Sequence, residues 1–146
     1  MAPVATAVAP RLRRMDLAVI ACIAAALAAA VHGYIFVLET LRWEEPGTRR
    51  VFGTSPEQAA QSKQLAANQG VYNLLLGIAA LAGVLAILAG ARGAGIAVLL
   101  AATGIMLAAA LYLVVSDRTK GRAAVAQGFF PAVAVVTGLI ALGQVV

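Results

Sequence analysis

The chain is short of what a water-soluble domain depends on. Only 12% of its 146 residues carry charge while 62% are hydrophobic, against about 25% charged in an ordinary soluble domain. It has one cysteine, Cys22, and one histidine, His32. A single thiol excludes an intrachain disulfide, and a single imidazole with one distant carboxylate gives too few ligands for a closed metal site. Phosphate-binding loops, a Ser-His-Asp arrangement and a Cys pair are all missing, so neither a metal nor another cofactor is expected. The alternation over about ten residues that marks a transmembrane β-barrel is missing too.

What is there is a map drawn by the few charges. They fall between Arg11 and Asp16, between Glu39 and Lys63, at Arg92, and between Asp117 and Arg122. Residues 17–38, 64–91, 93–116 and 123–146 are free of charge. Each stretch exceeds the ~20 residues that a helix rising 1.5 Å per residue needs to cross a ~30 Å hydrocarbon layer. A soluble bundle would need polar outer faces, which these segments lack. The expected fold is therefore an all-α integral membrane protein, four transmembrane helices in an antiparallel up-down bundle. The net charge of +5 sits in the tail and loops, where it meets lipid head groups, and it is no signal for nucleic acid.

Residues 1–15 read as a mobile tail and residues 16–146 as one transmembrane domain with helices near 16–43, 56–90, 94–116 and 122–145. The apolar run from Leu17 is long enough to span, so an uncleaved first helix is expected rather than a signal peptide. Pro46-Gly47 ends that helix, with Trp43 at the head-group level. Ser55-Pro56-Glu57-Gln58 reads as a helix start, Ser55 as N-cap and Gln58 closing a capping box. Helix two thus begins outside the membrane and extends beyond it. Val51-Phe52-Gly53 is placed to tuck an aromatic ring back into the interface. Gly90-Ala91-Arg92-Gly93 is short enough to force a hairpin, and Pro131 is expected to kink helix four under the cover of a neighbour. Orientation is contested: the loops near Arg42–Lys63 and Asp117–Arg122 hold seven basic residues against four on the other side, which favours both termini outside, whereas the basic tail before the first helix favours the reverse.

Polar groups inside a span are expensive, so each is a candidate for function. His32 and Glu39 lie seven apart, two helical turns, on one face of helix one. Helix two supplies Asn68, Gln69 and Asn73, helix three Tyr112 and Ser116, helix four Gln127. Because the helices alternate in direction, all of these fall in the leaflet beside the two longer loops. The other leaflet offers Cys22, Thr103, Thr137 and Gln144. A conduction path needs polar lining through the whole thickness, whereas a pocket open to one surface needs it on one side. The bland readings are snorkelling of Glu39 or pairing with Arg42, an interface anchor at Tyr112, and interhelical hydrogen bonds worth ~0.6 kcal/mol each for the amides.

At these residues the chain resembles a small bacterial membrane family known as domain of unknown function 1304. The resemblance runs through His32-Gly33-Tyr34 with Glu39 and Trp43, Val51-Phe52-Gly53, Asn68-Gln69-Gly70-Val71-Tyr72-Asn73, and Gln127-Gly128 with Pro131-Ala132. It covers nearly all of the chain after Asp16, implies a four-helix membrane protein, and places it in a bacterial inner membrane as a multi-pass protein. Val31 stands where an acidic neighbour of His32 is expected, and the Arg-bearing tail is extra.

The expected function is a one-sided pocket for a small amphiphile or lipid-like molecule, with His32 and Glu39 as candidate catalytic residues and Asn68, Gln69, Asn73, Tyr112 and Gln127 as candidate ligand-binding residues. In an enzyme, His32 or Glu39 would move a proton while the amides orient a polar head, as isomerase-type chemistry needs. A small proton-coupled transporter and an accessory subunit of a membrane complex are the alternatives. The expected partners are the bilayer, such a ligand and a further copy of the chain in a homo-oligomer, with no nucleic acid.

Overall fold

The computed structural model of the chain describes residues 5–143, with side chains from residue 17 onward. The mobile tail expected over residues 1–15 falls on residues 1–4, outside the described residues, and on a stretch described as backbone alone. The elements are α1 (Ala5–Phe36), a π-helical turn (Val37–Leu41), α2 (Pro46–Phe52), α3 (Pro56–Leu88), α4 (Arg92–Ser116), a 3₁₀ turn (Arg118–Lys120) and α5 (Gly121–Leu142). No strand occurs among the described residues. Four segments are long and apolar enough to cross a membrane: Leu17–Leu41, Pro56–Leu88, Arg92–Ser116 and Arg118–Leu142.

The long helices form a closed square. α1 packs on α3 and α5, and α4 packs on the same two, leaving α1 and α4 across the diagonal. The interior is built from small side chains: Ala25, Ala28, Ala80 and Ala134 are fully buried, interleaved with Leu99 and Met106. Large apolar side chains point the other way, with Ile23, Leu85 and Val115 all exposed. Alanine inside and leucine, isoleucine and valine outside is the reverse of a soluble bundle. Lipid solvates the outer face, and association relies on close van der Waals approach.

That approach is tightest where glycine replaces a side chain. A Cβ on Gly83 would stand 2.6 Å from the Leu99 nitrogen and 2.9 Å from the Gly95 carbonyl, and Gly95 is equally pressed against Gly83. The α3 and α4 backbones therefore cross in contact just before the hairpin, which turns at Gly90 with φ of 92°. On the other seam of α3, a Cβ on Gly77 would lie 3.2 Å from the Ala29 carbonyl. Pro131 lies inside α5, buried, and Gly128 one turn earlier lets Ala110 of α4 approach.

The loop between α1 and α3 is ordered by its own polar groups. The Ser55 hydroxyl accepts from the Gln58 N–H at 3.2 Å while the Gln58 side chain accepts from the Ser55 N–H at 2.9 Å, the capping box read from the sequence. The first helical run ends at Leu41, ahead of the Pro46-Gly47 stop expected from the sequence, and Pro46 instead starts a further short helix, α2; a proline at N1 sacrifices no hydrogen bond. α2 closes on Gly53 at φ of 68°, and Phe52 then packs on Trp43 with ring centroids 5.0 Å apart. The Trp43 indole donates to the Ala59 carbonyl at 3.0 Å and to Ser62 at 3.3 Å. Across the same surface Lys120 donates to the Phe52 carbonyl at 2.8 Å, tying the two longer loops together. Beyond its last charged residue, Lys63, α3 runs on as a helix of 33 residues in all, roughly 50 Å at 1.5 Å per residue, so its first turns stand outside the hydrocarbon.

A substitution at the α3–α4 crossing tests this packing. Gly83→Ala forces two backbones apart and is expected to cost about 1–3 kcal/mol in detergent unfolding. Gly104→Ala, where nothing lies within 4 Å of the added carbon, is expected to be neutral or stabilising by up to about 1 kcal/mol. Equal losses at both positions would contradict the crossing.

Candidate functional site

Glu39 lies in the π-helical turn and is buried, 8% exposed. The turn is fixed by the Arg42 N–H donating to the Val37 carbonyl, five residues back, at 3.1 Å. A wider turn brings neighbouring side chains closer in angle than the ~100° of an α-helix, so Glu39 and Thr40 both reach α3. The Asn73 amide donates to Glu39 Oε2 at 2.9 Å, and the Thr40 hydroxyl donates to the Ala67 carbonyl at 3.2 Å.

The partner surface is shaped to receive them. Ala66, Gly70, Gly77 and Ala80 are buried on α3, and Asn73 falls in step between Gly70 and Gly77. A side chain on Gly70 would collide with Thr40 Oγ1 and lie 3.1 Å from the Glu39 Cβ. Asn73 is thus the one large polar residue in a stripe of small ones. Its amide also donates to the Gln69 carbonyl at 3.1 Å, one turn back on its own helix, which fixes its orientation toward α1.

His32 lies two turns deeper than Glu39 and is 2% exposed. It shares the buried face of α1 with Ala25 and Ala28. Its Nδ1 is 2.9 Å from the Ala28 carbonyl; a carbonyl only accepts, so Nδ1 carries the proton and Nε2 of the neutral ring keeps its lone pair.

The other candidates are placed differently. Asn68 and Gln69 are exposed, because they stand about 200° and 100° around α3 from Gly70. Tyr112 is 74% exposed, about 200° from the buried Ala110. Gln127 is half-buried on α5. Helical phase turns Asn68, Gln69 and Tyr112 outward, even though all share one end of the bundle with the seam. In the opposite half, the Thr103 and Thr137 hydroxyls donate to carbonyls of their own helices at 2.8 and 2.7 Å, and Gln144 lies outside the described residues.

Sequence reading missed two features of the site. Thr40 carries no signal of its own, since a threonine beside a span boundary is ordinary. The π-helical turn likewise has no local motif; Gly70 on the opposing helix is the only trace of it in the sequence. A depression of about 380 Å³ adjoins this turn on the loop side, lined by Thr40, Trp43, Glu44, Glu45 and Lys63 among others. At the far end of the same two helices lies an apolar groove of about 460 Å³ that includes Cys22, Ile23, Ile87 and Arg92.

The Glu39–Asn73 contact is open to a double-substitution test. Asn73→Leu leaves a buried carboxylate without its donor and is expected to cost about 1–3 kcal/mol. Adding Glu39→Leu should restore most of that loss in thermal or detergent unfolding; additive losses would mean the two side chains do not meet.

Searches of curated proteins and of solved structures return no match. The sequence model of a family described as "Protein of unknown function (DUF1304)" matches residues 26–139, a range that takes in His32, Glu39, Gly70, Asn73 and Gln127, and the chain belongs to that family.

Proposed function

We propose that this multi-pass membrane protein binds the polar head of a small amphiphile or lipid-like molecule at the α1–α3 seam. Glu39 and Asn73 make the primary contact and His32 lies beneath them. The observation that carries this reading is the Glu39–Asn73 hydrogen bond at 2.9 Å, formed inside a span, on a π-helical turn. A buried carboxylate is costly there, and a single amide contact is a small return if the residue serves stability alone.

The loop-side depression gives the seam a neighbouring surface from which a head group can approach, while the exposed apolar flanks of α1 and α3 are in lipid and suit a chain. The far half of the bundle argues against a conduction path: its threonine hydroxyls are committed to their own backbones, whereas a path needs polar lining throughout. The outward placement of Asn68, Gln69 and Tyr112 favours a second reading, an accessory subunit that docks on a membrane partner through that face. Co-purification of one stoichiometric partner in mild detergent, lost on Asn68→Ala with Tyr112→Ala, would select it.

Ligand-induced thermal stabilisation tests the binding reading. A screen of single-chain amphiphiles should give a shift in wild type that is lost in Asn73→Ala and reduced in His32→Ala. Shifts that survive both substitutions would remove the seam as the binding site.

A further inference from the structure

Every hydrogen-bond donor along the seam is already committed. The two N–H groups of the Asn73 amide serve Glu39 and the Gln69 carbonyl. The Thr40 hydroxyl goes to the Ala67 carbonyl, and the His32 Nδ1–H to the Ala28 carbonyl. The Trp43 N–H is shared between Ala59 and Ser62, whose own hydroxyl goes to the Gln58 carbonyl at 2.7 Å.

What remains is acceptor capacity. An ionised carboxylate has about four lone-pair sites, and Glu39 receives one bond from the described residues. Asn73 Oδ1 and the Nε2 lone pair of a neutral His32 are acceptors as well. No cation answers Glu39: among the described residues no Lys or Arg side chain lies within ion-pair distance of it. Three of the basic groups that follow it in the chain have partners elsewhere, Arg42 with Glu45 and Lys63 with Glu44, and Arg49 with the Glu44 carbonyl. A carboxylate and an amide oxygen with no free donor beside them select a ligand that brings donors and positive charge.

We propose that the head group taken at this seam is a protonated amine, so that the ligand is a cationic amphiphile with an alkylammonium head. This rests on the binding reading given above and adds its charge class. The ammonium donates to Glu39 and to Asn73 Oδ1, while the alkyl chain lies against the lipid-facing side of α1 and α3. At Glu39 and Asn73 Oδ1 themselves an anionic head would meet acceptors, and an alcohol brings one donor and no charge. The chain as a whole carries +5, which repels cations, so a preference for the amine has to arise locally.

The test uses the full chain in phosphatidylcholine nanodiscs with dodecylammonium, dodecanol and dodecanoate at equal mole fraction in the bilayer, read as thermal unfolding. In wild type, dodecylammonium should raise Tm most and dodecanoate least. Glu39→Gln keeps the side-chain length and an oxygen for Asn73, so it should fold as wild type does. It should weaken dodecylammonium by roughly tenfold or more and change the response to dodecanol by much less. Equal stabilisation by the amine and the alcohol, unchanged in Glu39→Gln, would overturn the cation preference and leave the binding reading standing. No stabilisation by any of the three would overturn both.

Discussion

Two helices in lipid gain nothing from hiding apolar surface, and the rest of this structure depends on how α1 and α3 answer that constraint. They come close enough for dispersion and a few polar contacts to hold them. Ala29 against Gly77, and the Glu39–Thr40 pair against Gly70, mark the two points of the seam where α3 presents no side chain, with Asn73 between them. The π-helical turn is the counterpart on α1: one extra residue in the turn carries two consecutive polar side chains into the gap that Gly70 leaves open. A larger residue at position 70 would leave Thr40 and Glu39 nowhere to go.

The hydrogen bonds within and across the two helices decide the chemistry. Thr40, His32 and Asn73 are near enough to backbone carbonyls to spend their hydrogens on them, which satisfies these groups in a medium without water. It also strips the seam of donors and leaves Glu39 as an acceptor with one partner. Fold and site are therefore not separable here: the contacts that hold α1 to α3 are the contacts that set what the seam can receive. The hairpin at Gly90 and the contact of Lys120 with the Phe52 carbonyl close the square around it and fix which end of the bundle faces the ordered loop.

The fold was legible because lipid writes itself into composition. Four charge-free stretches, the Ser55–Gln58 capping box, the short turn around Arg92 and the projecting start of α3 all follow from length and residue type. The gathering of polar residues at one end was legible too, from the alternation of helix direction. Which of them meet was not. Depth along a helix can be counted from the sequence, but the angle around it relative to a neighbour depends on packing. Glu39 and Asn73 converge, whereas Asn68, Gln69 and Tyr112, at similar depth, face outward. The wider turn at 37–41 changes the angle at which Glu39 and Thr40 leave the end of α1, and no local pattern announces it.

Solid-state NMR on the unmodified chain in bilayers measures the central contact directly, through dipolar coupling between the Asn73 side-chain nitrogen and the Glu39 carboxyl carbon. A hydrogen bond of this kind places the two nuclei about 4 Å apart or less, and a strong coupling is the result expected. A coupling too weak to observe, with the Asn73 amide instead coupled to lipid or to another helix, would contradict the account.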